Sequence, residues 1–187
     1  MRVFLCGAQG VGKSTLVTSL PSEFGLEIKD SFSRKFLEKN PDIQNSTNVD
    51  FNEFQDKILL YCLDQYVNDK DFISSRSIID SYAYLSVCKP EEDVMLKNIL
   101  GHYMDYVTTE DCIYIYIPIE FQISGGNNDL RNTDSEYQRN IDQQMQKFFN
   151  KLKRHSKGAD FHIITGDRET RLEKLKTIIK EKKECLK

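Results

Sequence analysis

The sequence predicts an α/β fold, a sheet of about five mostly parallel strands with helices on both faces, and three observations predict it. Short apolar runs alternate with stretches of helical spacing. A glycine-rich G-x-x-x-x-G-K-S segment stands between the first such run and the first helix. No repeat, low-complexity tract or Gly/Ser/Pro linker divides the 187 residues, a length that suits one domain, residues 1–187. Strands separated by helices at this spacing form βαβ units, whose parallel sheet needs cover on both sides.

Taken in order, Arg2 to Cys6 reads as a short buried strand, followed by a glycine loop and a helix to about Leu20, which stops before Pro21. Leu26 to Lys29 is a second strand. Helical spacing returns in Phe32 to Leu37 and from Phe51 to Val67, where Phe51, Phe54, Ile58, Leu59 and Cys62 share a face. Phe72 to Ser74 is a third, weakly marked strand. Ser77 to Cys88 and Val94 to Val107 read as helices, the first ending before Pro90. Cys112 to Ile117, with three isoleucines and two tyrosines, is the clearest strand and stops at Pro118. A polar loop, Ser124 to Asp134, precedes a helix whose start near Thr133 follows from the Thr133/Glu136 capping-box spacing. Phe161 to Thr165 and Arg168 to Lys180 are the last strand and helix. Ligands of such sheets gather at the carboxyl ends of the strands, here Gly7, Asp30, Ser75, Pro118 and Gly166.

Composition narrows the function classes. Lys and Arg total 26 against 29 Asp and Glu, a net charge of −3, so no global positive field draws the chain to nucleic acid or an anionic membrane. Five cysteines without Cys-x-x-Cys spacing point to a reducing, cytoplasmic setting and to no metal cluster. The apolar run Val3 to Cys6 is much shorter than a signal-peptide core or a membrane span, so a soluble protein is expected.

Gly7-Ala8-Gln9-Gly10-Val11-Gly12-Lys13-Ser14 satisfies the phosphate-loop pattern in its required context, after a strand and opening a helix. Glycines let the backbone wrap phosphate oxygens, the helix N-terminus offers free N–H groups, and Lys13 adds a mobile cation. Ser14 is placed to put its hydroxyl on Mg²⁺, with Thr15 toward the α-phosphate. Gly7, Gln9, Gly10, Val11, Gly12, Lys13, Ser14 and Thr15 are thus the expected contacts of Mg·ATP in a three-layer P-loop NTPase sandwich. An Asn-Lys-x-Asp guanine reader is missing, which excludes the common GTPases, and no apolar strand ends in Asp-Glu as in motor ATPases.

Ser75-Arg76-Ser77-Ile78-Ile79-Asp80-Ser81-Tyr82-Ala83-Tyr84 resembles the Asp-Arg-Ser…Asp…Ala-Tyr segment of P-loop nucleoside and nucleotide kinases. The chain is most similar to a small, often phage-encoded ATPase/kinase family that itself resembles thymidylate kinase and ribosylnicotinamide kinase. Asp30-Ser31-Phe32-Ser33-Arg34, Asp129-Leu130-Arg131 and Thr165-Gly166-Asp167-Arg168 extend the likeness in the same order. Where the family usually carries an acid before the arginine, this chain has Ser75. The resemblance implies a nucleoside monophosphate kinase-like fold with a lid at about 118–135, ATP and Mg²⁺ as cofactors, and transfer of the γ-phosphate to a small nucleoside or nucleotide acceptor.

It also assigns roles. Asp30 takes the acceptor proton or anchors the metal shell; the plainer reading is a helix N-cap. Arg34, one turn on, suits an acceptor phosphate or a pair with Asp30. Arg76 touches the acceptor. Asp80 binds substrate or pairs with Arg76 four positions earlier. Tyr82 and Tyr84 border the acceptor ring or pack in the core. Arg131 is the lid arginine, with Arg139 a weaker second, and Gly166 and Arg168 line the adenine or form a plain turn. Lys13, Asp30, Arg76 and Arg131 are therefore the expected catalytic set, with Ser14 and Asp30 on the metal.

The acceptor stays open between a nucleoside monophosphate and a free hydroxyl, as in a nucleoside or nicotinamide riboside. A hydroxymethylated base in phage DNA is a further alternative, kept by the basic cluster Lys147, Lys151, Lys153, Arg154, His155 and Lys157. A nucleotide-binding regulator or weak ATPase is the rival from another class, favoured by Ser75. Monomer and homodimer both remain open. His102, His155 and His162 lack metal-ligand spacing and receive no catalytic role.

Overall fold

The computed structural model describes residues 1–29, 57, 59–61, 63, 64, 71–88, 106–121 and 135–186. Every residue of the first strand, β1 (Arg2–Cys6), is buried, and β1 lies at the centre of a five-stranded sheet. Around it, in chain order among the described residues, come α1 (Lys13–Ser19), a 3-10 turn (Ser22–Phe24), β2 (Glu27–Lys29), β3 (Phe72–Ser74), α2 (Ile78–Cys88), β4 (Cys112–Tyr116), α3 (Ser135–His155), β5 (Asp160–Ile163) and α4 (Arg168–Cys185). The strand order is β2-β3-β1-β4-β5 and every pairing is parallel. The expected parallel α/β sheet is therefore present, and the parallel sense puts all five carboxyl ends on one edge.

Burial explains which strands were legible. β1, β3 and β4 are buried along their whole length; the five-residue β1 and β4 read as largely apolar runs, the three-residue β3 is too short to mark itself strongly, and β2 and β5 are edge strands with Ile28 and Ile163 exposed. One face carries an aromatic ladder. Phe4 meets Phe72 edge-on at 5.4 Å and stacks on Tyr114 at 5.1 Å, and Tyr114 stacks in turn on Phe161 at 5.1 Å. Such contacts add about 0.5–1.5 kcal/mol each beyond area burial. They fix the register Phe4–Tyr114–Phe161 across three strands.

Over this face α3 presents Ile141, Met145, Phe148, Phe149 and Leu152 at helical spacing, with Phe149 against Tyr116 and Phe161. α2 packs on α3, where Tyr82 stacks on Phe148 at 4.1 Å. Tyr82 is thus engaged with the helix layer. The other helix pair is α1 with α4, whose Arg171, Leu175 and Ile179 form one buried stripe. Asp167 caps α4 by accepting from the Thr170 N–H at 2.8 Å. α4 runs to Cys185, beyond the expected Lys180, because Lys182 pairs with Asp160 at 2.8 Å and Lys183 bonds the Phe24 carbonyl.

The described part of the expected 51–67 helix is helical, with Leu59 and Leu63 buried and Leu60 exposed. The expected helix at 32–37, the 124–134 loop with Thr133, and most of the 94–107 helix lie outside the described residues. Among the described residues no helix is long and apolar enough to cross a membrane.

The sheet's amino edge is held by Arg2, whose guanidinium donates twice to Asp111 at 2.9 Å and once to Thr109 at 2.6 Å. Burial raises the Asp111 pKa, but the bonds from Arg2 and Thr109 outweigh it and bring the carboxyl down to about 2. A carboxylate whose folded pKa is depressed stabilises the fold above its unfolded pKa and loses that contribution as pH falls. Asp111→Asn is therefore expected to cost about 1 kcal/mol at pH 7, discounted for the carboxylate's partial exposure. In thermal melts the gap from wild type closes as pH falls from about 4 to 2.

Candidate functional site

The segment after β1 turns through Gly7 to Gly12 into the N-terminus of α1. A side chain at Gly7 would place its Cβ 2.5 Å from the Ile117 carbonyl oxygen, so only glycine lets the loop pass the end of β4. Gly12 caps α1 with a φ of 95°, a left-handed conformation that again favours glycine. These two positions bring the loop over the carboxyl edge and aim the first N–H groups of α1 outward. α1 is short, so its end alone makes no anion site; the loop and Lys13 complete it.

Lys13 is mostly buried. Its ammonium donates to the Gly7 and Ala8 carbonyls and lies 3.4 Å from Asp80 Oδ1. Burial lowers its pKa, the Asp80 carboxylate opposes that, and the nearby Arg76 charge adds to the lowering. Asp80 is 1% exposed, and its other oxygen accepts the Ser77 N–H at 3.0 Å and the Ser77 hydroxyl at 2.7 Å. The expected alternative of an Asp80–Arg76 pair is not what forms. Ser77 lies just before α2, so Asp80 in the first turn bends back to bond it and reaches the lysine. Cys6, fully buried beneath this group, has its thiol pKa pushed well up by burial and by the Asp80 charge.

Arg76 sits at the carboxyl end of β3 with its guanidinium 5.4 Å above the Tyr84 ring, and among the described residues its buried Nη1 has no hydrogen-bond partner. A buried guanidinium nitrogen of this kind beside the phosphate loop is a donor open to an anion or a water. Tyr84 is buried, and its hydroxyl donates to the Gln9 side chain at 3.0 Å. Gln138 of α3 donates to the Gln9 carbonyl at 2.6 Å. Among the described residues the Ser14 hydroxyl makes no hydrogen bond and is available to a metal ion at the loop. Among the described residues no group of three or more His, Cys, Asp and Glu could hold a metal. Mg²⁺ needs no such group when phosphate and water oxygens fill most of its shell.

On the β5 side the structure adds two residues that the sequence did not single out. Glu120, just past β4, accepts the Gly166 N–H at 2.9 Å and pairs with Arg171 of α4. Arg171 also donates to the Val11 carbonyl at 2.7 Å, so this ion pair ties the phosphate loop to the turn after β5. No local pattern announces the pair, whose partners are 51 positions apart. Gly166 thus lies beside the loop, while Arg168 donates to Ser19 at 2.8 Å and packs against α1. Gly10, Val11 and Gly12 lie in the loop and Thr15 in the first turn of α1; Arg139 is exposed on α3. Asp30, Arg34 and Arg131 lie outside the described residues.

A family model described as an AAA domain (AAA_28) matches residues 2–171, most of the chain and all of the geometry above. The chain belongs to that AAA-domain family. Its third strand runs into Ser74-Ser75-Arg76. A search of curated proteins gives no match. The fold is similar to deoxyadenosine kinase from M. mycoides, solved with dCMP and dCDP bound, at a TM-score of 0.67 and 16% identity over 97% of this chain and 99% of that one. NadR protein in complex with NR also gives 0.67 at 16% identity, over 96% of this chain and 50% of that one. YorR protein from Bacillus subtilis, in complex with phosphorylated GDP, gives 0.57 at 13% identity over 96% of both. The fold is thus the kinase-like P-loop α/β sandwich the sequence predicted.

Replacing Asp80 tests the buried pair. Asp80→Asn leaves the Lys13 charge unmatched and is expected to cost about 3 kcal/mol at pH 7. Because the Lys13 pKa is lowered in the folded chain, the cost of holding its charge is largest at neutral pH and is relieved as pH rises toward 10.5. Chemical denaturation of both proteins from pH 7 to 10 should show the deficit shrinking.

Proposed function

We propose that this chain is an ATP- and Mg²⁺-dependent phosphotransferase whose acceptor is a nucleoside or a nucleoside monophosphate. The observation that carries this reading is the grouping of Lys13, Asp80 and the unpartnered Arg76 nitrogen around one glycine loop at the carboxyl edge of the sheet. The kinase-like fold supports it.

When ATP occupies the loop, Lys13 exchanges the Gly7 and Ala8 carbonyls for phosphate oxygens, which form stronger charge-assisted bonds. Asp80 keeps the lysine aimed by staying fixed to Ser77. Arg76, one strand over, offers its free Nη1 to the transferred group or to an acceptor phosphate and so stabilises charge as it moves. Ser14 would hold Mg²⁺, which when bound neutralises charge on the phosphates. Gly166 lies on the side away from Arg76, the side left for the donor's base. Asp30 as proton acceptor or metal anchor, Arg34 on the acceptor and Arg131 as the closing arginine complete the proposal from the family resemblance.

The basic cluster at 147–157 gives the DNA-base alternative little support. It occupies the end of α3 remote from Gln138, the residue bonded to the loop. Arg154 is sixteen positions further on, about 24 Å along the helix axis. The cluster and the loop therefore do not form one compact site.

The test is ATP consumption with Mg²⁺ against nucleosides, nucleoside monophosphates, nicotinamide riboside and hydroxymethyl-base DNA. A nucleoside or nucleoside monophosphate should stimulate turnover at least tenfold, and Arg76→Ala should remove that stimulation. Slow turnover indifferent to every acceptor would instead mark a regulator or weak ATPase.

A further inference from the structure

The residue Gln9 occupies a position that the phosphate-loop pattern leaves unspecified, yet it is held from two sides. Its side-chain oxygen accepts the Tyr84 hydroxyl at 3.0 Å, and its backbone carbonyl accepts the Gln138 amide at 2.6 Å. Gln138 and Tyr84 are both buried, so neither bond is readily replaced by water. The same Tyr84 ring lies under the Arg76 guanidinium at 5.4 Å. A continuous path of contacts therefore runs from the orphaned Arg76 nitrogen, through Tyr84, to the loop that carries phosphate.

We propose that Tyr84 is a positioning residue that couples the acceptor side of the site to the donor side. The inference rests on the phosphotransferase reading above and assigns Tyr84 a role other than bordering the acceptor ring. An anion drawn to Arg76 fixes the guanidinium over the ring, the fixed ring holds its hydroxyl on Gln9, and the loop is held in one shape for the donor phosphates. By linkage the effect runs both ways: nucleotide on the loop favours the acceptor at Arg76 to the same degree. Phe at position 84 would keep the ring without the hydroxyl, so the bond to Gln9 is something the tyrosine adds beyond packing.

Tyr84→Phe tests that bond because it keeps the ring beneath Arg76 and removes the hydroxyl. Calorimetry would give the affinity of Mg·ADP and of two probes, deoxyadenosine and thymidine monophosphate, each alone and together. In the wild type at least one probe should bind about threefold to tenfold more tightly when Mg·ADP is present, the range of one net hydrogen bond. In Tyr84→Phe the enhancement should fall close to one, with Mg·ADP alone binding no more than about tenfold more weakly than in the wild type, the range of one net hydrogen bond. Adding Tyr84→Phe to Gln9→Ala should cause no further loss, since the two substitutions break the same bond.

Enhancement preserved in Tyr84→Phe, absent in the wild type, or lost only in proportion to a lowered melting temperature would overturn the proposal. So would full multiplication of the two variants' effects. The phosphotransferase reading fails separately, by an acceptor panel that leaves ATP turnover unchanged.

Discussion

A buried ammonium needs partners, and the carboxyl edge of this sheet is built around supplying them to Lys13. Gly7 and Ala8 give it carbonyls and Asp80 gives it charge, and all three sit where they do because β1 and β3 are adjacent parallel strands ending side by side. An ion pair this deep gives little net stability, because desolvation offsets most of the Coulomb attraction. What it gives is placement. The lysine is held near the loop in a state it can leave as soon as phosphate oxygens offer better bonds, so the pair is a poised arrangement more than a structural rivet.

The rest of the fold keeps that arrangement in register. The aromatic ladder through Phe4, Tyr114 and Phe161 locks β1, β4 and β5 together, and Arg2 with Asp111 pins the opposite edge. Two helix layers then reach the loop itself: α2 and α3 through Tyr84 and Gln138, and α4 through Arg171. The loop is thus anchored at Gln9 toward α2 and α3 and at Val11 toward the β5 side. The short span between those anchors leaves Gly10 exposed and in a positive-φ conformation.

Much of this was legible in the chain because it is written locally. A loop of spaced glycines followed by Lys-Ser, and strands such as Cys112–Tyr116 buried on both faces, carry their own signals of pattern and composition. The β2 and β5 edges were harder to delimit, since half-exposed strands mix polar and apolar residues. Pairings across the fold were not legible. Asp80 stands four residues from Arg76, which suggested a pair on one helix face, but Ser77 turns the carboxylate back toward a lysine 67 positions earlier. Glu120 and Arg171 escaped notice for the same reason. Neither residue sits in a motif, and their meeting depends on where β4 ends relative to α4.

The central claim is that Lys13 and its loop form a nucleotide site. Calorimetric titration of the protein with ATP and Mg²⁺, alongside Lys13→Ala, tests it most directly. One ATP per chain, with affinity reduced at least tenfold in the variant as expected for losing a charge-assisted phosphate contact, is the predicted result. A wild-type protein that binds no ATP, or a variant that binds it equally well, would contradict the account.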